Sequence, residues 1–533
     1  MNDENKHILA IDLGTGGPKA ALTTLSGRVV AEAFVPTPLV HTSDGGIEQD
    51  AQGWLEAIAR ACAQVAAKDP QAARGVCAVG VASQWFATVA VDADGAPLMN
   101  AISWMDSRGA KQIKQLAGPG PRVSGYNPRK LVRWLRMTGG APSLQGHDSL
   151  AHVHLIREIN PDVYERTRAF IDPGGFITTA LTGRLAMSAE AATAFWATDT
   201  RPIDNIAYDS KLLALGKLDA ARMPELVPSG SVVGELTAEW AARLGVAPVP
   251  VVAATPDIMA AAIGSGAVAD FAPHLYVGTS GWLACHVPFK KTDPFHNIAA
   301  LPSALSGRYL MCTEQQCAGE TLAHLRDRLL VTDSTFDELT AEAATIAPGS
   351  DGVLFTPWLN GERTPLDDNH ARAAYANLSL TSTRAALVRA TLEGVALNAR
   401  WMQEHSERFA GRRLDDIALI GGGAQSDLWC QIFADVLDRR VRRIAQPRQA
   451  TARGAALHAA IGIGAVTPAE VSGLVAAEKT YEPEAGNQGL YDELFDRFKS
   501  FYKANRRLYK QFNAGTHRPR NPGATHEPDG VPK

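Results

Sequence analysis

Two short glycine–threonine turns, one in each half of the chain, constrain its fold more than any other feature. The first follows the apolar run Ile8-Leu9-Ala10-Ile11 and reads Asp12-Leu13-Gly14-Thr15-Gly16-Gly17-Pro18-Lys19. The second follows His274-Leu275-Tyr276-Val277 and reads Gly278-Thr279-Ser280-Gly281. Both runs are strand-like, and a strand-like segment returns in each half: Val29 to Val35 after Ser26-Gly27, and Arg308 to Cys312 after Ser306-Gly307. A chain of 533 residues is too long for one ordinary core. A strand–turn–strand unit repeated in opposite halves therefore implies two similar α/β domains. Glycine lacks Cβ and lets backbone come close to a ligand, so two such turns can offer N–H groups to a single phosphate chain. The expected domains are 1–265 and 266–514. Residues 515–533 carry Gly, Pro, His and charge with almost no apolar side chains, and are expected to be a disordered tail.

Composition excludes several other classes. Apolar residues make up 46% and charged residues 20%, with a net charge of −4 and both signs interspersed. No basic stripe points to nucleic acid and no polybasic cluster to a membrane surface. No apolar run has membrane-spanning length, and from the polar Met1 to His7 no signal peptide is expected. The six cysteines (Cys62, Cys77, Cys285, Cys312, Cys317 and Cys430) follow no metal-ligand or redox spacing. Reduced, mostly buried thiols and a cytoplasmic location are expected.

Strands and helices alternate between the turns. A helix is expected after Asp50, with Trp54, Ile58, Cys62 and Val65 as its apolar stripe. Gly75 to Val81 and Thr88 to Val91 read as strands. Val249 to Ala254 reads as a buried strand ending at Thr255-Pro256-Asp257, before a helix or hinge from Ile258 to Ile263. A long helix starts at Ser382. The strand Asp416 to Ile420 runs into Gly421-Gly422-Gly423-Ala424-Gln425-Ser426 and then an amphipathic helix carrying Leu428, Trp429, Ile432, Phe433 and Val436.

Several residues at these strand ends have chemistry to offer. Asp12 can hold Mg²⁺ through water, while Thr15 and Lys19 can donate to phosphate oxygens; the plainer reading is an ordinary hairpin. Asp257 can accept the proton of an attacking hydroxyl, or cap the helix that follows it, and the two roles are compatible. Three glycines in one strand–helix turn can press backbone against a flat base or ribose. Ser83-Gln84-Trp85-Phe86 and Trp104-Met105-Asp106-Ser107-Arg108 combine aromatic faces with amides and carboxylates, as a sugar pocket does. Within them Trp104 reads as core packing, and Gln84 and Asp106 as substrate contacts.

Taken in order, these segments resemble the FGGY carbohydrate kinases from about residue 7 to about residue 510. The matching stretches are Asp12-Leu13-Gly14-Thr15 with Lys19, Ile47-Glu48-Gln49-Asp50 with Trp54, Trp104 to Arg108, Asp257 and Gly278 to Gly281. Gly361-Glu362-Arg363-Thr364-Pro365, Leu392-Glu393-Gly394-Val395-Ala396 and Gly421 to Ser426 complete them, and the pattern is most similar to the xylulokinase branch. The resemblance implies two actin-like ATPase (ribonuclease H-like) domains with an active-site cleft between them, and transfer of phosphate from ATP with Mg²⁺ to a sugar or polyol. It implies Asp257 as general base and Asp12 as the Mg²⁺ residue. Gly14, Thr15, Lys19, Gly278, Thr279 and Ser280 would hold phosphates, with Gly319 in the same nucleotide set. Gly421, Gly422, Gly423, Ala424 and Ser426 would hold adenosine. Gln84, Trp85, Phe86 and Asp106 would meet the substrate together with Asp257.

Three departures bear on the substrate. Trp85-Phe86 stands where xylulokinases usually carry Met/Gln-His and glycerol kinases Arg-Glu. Ala254-Thr255-Pro256-Asp257-Ile258 replaces a Gly-Gly-Gly-Asp-Asn pattern, and Leu150-Ala151-His152-Val153-His154 stands in for an Ala-Pro-Lys stretch. A pocket smaller or less polar than usual is expected. The altered pocket leaves a nucleotide- or sugar-binding pseudokinase as the alternative, and a sugar-independent actin-like ATPase as a third. The expected partner is a small sugar or polyol, with no nucleic acid or membrane; a homodimer is among the assemblies expected.

Overall fold

Each half is built on the same sheet. In the first, the strands run in the order Val232–Glu235, Pro250–Val252, Val76–Ser83, His7–Gly14, Gly17–Thr24 and Val29–Phe34. His7–Gly14 pairs antiparallel with Gly17–Thr24 and parallel with Val76–Ser83. The second half repeats this around Pro273–Val277, antiparallel to Gly281–Val287 and parallel to Ile417–Ile420. In both halves a third antiparallel strand extends the meander, a second parallel strand extends the other flank, and an antiparallel strand closes that edge. This computed structural model describes residues 5–513; the tail expected from 515 onward lies outside the described residues.

The central strands are short apolar runs buried on both faces, as strands covered by helices must be. Ile8, Leu9, Ala10, Ile11 and Leu13 are all buried, as are Ile417, Ala418, Leu419 and Ile420. The helix Ala51–Lys68 presents Trp54, Ile58, Cys62 and Val65 to the first core, as its spacing predicts, although Asp50 makes no side-chain capping bond. The helix Arg384–Ala410, capped by Thr383, anchors the second core. All six cysteines are free thiols. Among the described residues no helix is long and apolar enough to cross a membrane.

A third core joins the halves. The run Ile258 to Ile263 proves to be a helix, Asp257–Gly264, and it packs on the helix Ala450–Gly462 of the other half. Small side chains fill the seam, among them Ala260, Ala261, Ala455, Ala456 and Ala459. Glycine permits still closer approach: a Cβ on Gly454 would stand 1.7 Å from the Ala260 carbonyl oxygen, and one on Gly264 1.8 Å from that of Ala450. The same seam carries polar clasps. Gln446 donates to the Val29 carbonyl and accepts from the Val29 N–H, both at 3.2 Å. Buried Arg453 donates to the carbonyls of Gly27 and Gly264 at 3.2 and 3.0 Å. The halves are thus joined by a tightly packed helix pair, and also through Lys290, which donates to the Met137 carbonyl, and Tyr309, which donates to the Thr200 carbonyl.

Candidate active site

Register fixes where the functional side chains emerge. Across the first sheet Asp12 lies opposite Ala82, and Pro256 of the short strand Thr255–Pro256 lies opposite Ser83. Asp12, Gln84 and Asp257 therefore leave the sheet at one edge, outside the carboxyl ends of parallel strands, where open α/β sheets bind ligands. Asp257 is the first residue of its helix and Pro256 occupies the cap position. The Asp257 carboxyl accepts from the adjacent Ile258 N–H at 2.8 Å, so it does not cap the helix in the usual way. Burial, with the neighbouring Asp12 carboxyl next in weight, pushes Asp257 up to about 7, and Glu314 from the other half pushes the same way. Burial also raises Asp12, against the opposing charge of Lys19.

The two turns are held differently. Gly17 has φ +133° and a Cβ there would stand 2.3 Å from the Val35 carbonyl oxygen, so only glycine fits, whereas nothing lies within 4 Å of the Cβ position of Gly16. Lys19 pairs with Asp12 across the hairpin, and its ammonium donates to the Arg448 carbonyl of the second half at 3.0 Å. In the second turn the Gly278 N–H donates to the Ser280 carbonyl at 2.9 Å. The carbonyls of Gly278 and Thr279 accept from Gly319 N–H and Ala318 N–H at 2.6 and 2.9 Å, locking the turn to the helix Gly319–His324. Gly319 is thus placed directly behind the turn, where a Cβ would lie 2.6 Å from the Gly278 carbonyl oxygen.

The triple glycine divides its labour. Gly421 has φ +93° and a Cβ there would meet the Val277 carbonyl oxygen at 2.5 Å; Gly423 presses on the Val277 side chain at a similar distance. Gly422 between them faces open space, with nothing within 4 Å. Ala424 is buried, and Ser426 caps the helix Asp427–Leu437 by accepting from Trp429 N–H at 3.3 Å. Gly421→Ala should lower the melting temperature, through both strained φ and the carbonyl clash. Gly422→Ala should leave stability within about 0.5 kcal/mol, which thermal melts measure.

On the other wall the polar groups are largely committed to one another. The Thr15 hydroxyl donates to Gln84 Oε1 at 3.3 Å and accepts from the Trp104 indole N–H at 3.0 Å. Gln84 Nε2 donates to Gln49 Oε1 at 2.8 Å, and Gln49 Nε2 to the Thr15 carbonyl at 2.9 Å. Trp104, expected in the core, is instead half-buried and steadies the first turn. Gln84, expected to read the substrate, is 2% exposed and braces that turn from behind. Asp106 is 0% exposed, its oxygens taken by Arg108 and by the N–H groups of Ile47 and Arg108, so it shapes this wall without facing the cleft. Trp85 and Phe86 do form a half-buried aromatic face, ring centroids 4.5 Å apart, and Trp196 extends it 6.2 Å from Phe86. Phe86 holds φ +64°, a costly conformation for a bulky residue and one that gathers at ligand sites. Trp196, Gln49 and Glu314 join this neighbourhood without a site role expected for them in sequence; Gln49 lies within a motif stretch, and nothing local in sequence marks the others.

A duplicated fold with a Gly-Thr turn at the same strand end in each half suits a kinase that closes on its substrates. The family model for the N-terminal domain of FGGY carbohydrate kinases matches residues 7–264, and that for the C-terminal domain residues 275–463. The chain belongs to the FGGY family of carbohydrate kinases. It is similar to a xylulose kinase from Staphylococcus epidermidis, 27% identical over 505 residues that cover 94% of this chain and 97% of the relative. It also matches a gluconokinase from Bacillus subtilis, 23% identical over 449 residues, covering 82% of this chain and 83% of the relative. Among solved structures, a xylulose kinase from Rhodospirillum rubrum superposes with a TM-score of 0.80 at 26% identity, covering 95% of this chain and 100% of the other. As an FGGY kinase the chain transfers phosphate from ATP to a sugar-type hydroxyl.

Proposed function

We propose that this FGGY kinase phosphorylates a small ketose or polyol, with xylulose the first substrate to test, and that Asp257 is its general base. One observation carries the assignment of the base: a half-buried carboxylate at the strand edge, between the two turns, held near neutrality by burial and by Asp12. In the proposed step the substrate hydroxyl oxygen bonds to the γ-phosphorus of ATP while the bond from that phosphorus to the bridging oxygen of ADP breaks. The hydroxyl proton passes to the Asp257 carboxylate. Gly14 to Gly16 and Gly278 to Ser280 present backbone to the phosphates, Lys19 adds a cation, and the open face of Gly422 receives adenosine. Closure about the Gly264–Gly454 helix pair excludes water, which would otherwise compete as phosphoryl acceptor.

Asp12 suits Mg²⁺: it is a strand-end carboxylate whose neutralisation is driven by burial, and a cation beside it would offset that. Among the described residues no group of three or more His, Cys, Asp or Glu side chains is placed to hold a metal. Mg²⁺ commonly keeps several waters and is bound by one or two carboxylates together with nucleotide phosphates, so a single carboxylate such as Asp12 suffices. When bound, Mg²⁺ would neutralise charge developing on the phosphate oxygens.

Sugar-dependent ADP release with xylulose, gluconate and glycerol tests the substrate assignment. Xylulose is expected to give the highest kcat/KM; equal ADP release with and without any of them would contradict a sugar kinase. A second expectation concerns pH. Asp257 must be ionised to accept a proton, so kcat/KM should rise with pH on an acid limb centred near 7, the value to which burial and Asp12 push it. Below that midpoint the rate should fall about tenfold per pH unit. A flat profile between about pH 5.5 and 8 would remove Asp257 from this role.

A further inference from the structure

The indole N–H groups of the wall around Trp85 and Phe86, and most polar side chains beside them, are committed. The Trp85 indole N–H donates to the Ala191 carbonyl at 3.1 Å, that of Trp196 to Asp148 at 3.0 Å, and that of Trp104 to Thr15. Gln84 and Asp106 are consumed as described, and Arg363 of the second half pairs with Glu314 at 3.0 Å. His147 is different. It is half-buried and has no hydrogen-bond partner among the described residues.

Its neighbours place it at the cleft. The next residue, Asp148, holds Trp196; the one after, Ser149, donates to the carbonyl of Phe86 at 3.4 Å. The imidazole lies within electrostatic reach of Asp106 on its own domain and of Arg363 on the other. Arg363 in turn pairs with Glu314, whose charge is felt by Asp257. The Glu314–Arg363 pair of the second half is thus within electrostatic reach of both the proposed base and His147. Burial, and then the Arg363 charge, push His147 down to about 4, so near neutrality the ring is uncharged. A neutral imidazole carries one donor and one acceptor, which matches a hydroxyl group.

We propose that His147 reads a hydroxyl of the sugar at the end remote from Asp257, and so sets which carbohydrates this aromatic-walled pocket accepts. The inference rests on the sugar-kinase reading above. Rings bind C–H faces and cannot discriminate hydroxyls, whereas a site built to hydrogen-bond a hydroxyl discriminates strongly. His147 supplies that discrimination here.

The test uses the full chain with xylulose, gluconate and glycerol, scoring ADP release together with sugar-induced quenching of tryptophan fluorescence. For the best substrate, His147→Phe should raise KM about tenfold, leave the KM for ATP unchanged and keep the melting temperature. His147→Asn should recover part of the loss. An unchanged sugar KM in His147→Phe would overturn the inference while leaving the kinase reading intact. Parallel losses of ATP affinity and melting temperature in both variants would also overturn it, by showing a structural role. Wild-type protein that neither binds nor phosphorylates any of the three would overturn the substrate reading, and this inference with it.

Discussion

Asp257→Asn is expected to lower kcat by about 10²- to 10⁴-fold, the range that a positioned general base contributes. The variant should keep near-normal KM values for ATP and sugar. Asparagine preserves the volume of the side chain and its contact with Ile258 N–H, so a loss confined to turnover marks the missing base. The same variant should be more stable than wild type at alkaline pH. Folding raises the Asp257 pKa from its ordinary value to about 7, so between the two values the folded state binds more protons than the unfolded state. Wild-type stability therefore falls as pH rises through that window, and the loss is complete above about 7. Asparagine lacks this dependence. Its melting temperature should exceed that of wild type at about pH 8, with the difference shrinking toward about pH 4. Stability gained where activity is lost is the usual trade at a functional site.

Gly454→Val should be the most damaging substitution away from the chemistry. A Cβ at that position would stand 1.7 Å from the Ala260 carbonyl oxygen and 2.4 Å from its carbon, which no rotamer relieves. The helices Asp257–Gly264 and Ala450–Gly462 would have to separate, opening the Ala-rich core that joins the two halves. Overpacking typically costs about 1–3 kcal/mol and occasionally more; here backbone, not a flexible side chain, is in the way, so about 3 kcal/mol or more is expected. Separation would also displace Asp257 itself, which opens the first helix. A lowered melting temperature should therefore accompany lost activity. A variant that melts and turns over like wild type would refute this close packing.

The features legible in the sequence were those set by local backbone chemistry. A Gly-Thr turn after an apolar run, an Asp ending a buried strand, and three glycines between strand and helix each announce a strand end at which a ligand can sit. Their duplication implied the repeated sheet, and the family resemblance named the fold. What stayed hidden depends on which way a side chain points and on partners distant in the chain. Asp106 looked like a substrate contact because its residue type and setting fit, yet Arg108 and the Ile47 N–H enclose it. Trp104 looked like core, yet it reaches the Thr15 hydroxyl. Asp257 looked equally suited to capping, but the preceding proline occupies the cap position. His147 carried no signal: sequence does not show that the next two residues, Asp148 and Ser149, bond to Trp196 and to the Phe86 carbonyl, or that Arg363 of the other half lies within electrostatic reach.

The most direct test is the product itself. Xylulose incubated with the protein and MgATP should gain one phosphoryl group by mass, in a molar amount equal to the ADP formed, and Asp257→Asn should form neither at a comparable rate. ADP accumulating without a phosphorylated sugar, in wild type supplied with xylulose, gluconate or glycerol, would contradict phosphoryl transfer to a carbohydrate in this cleft.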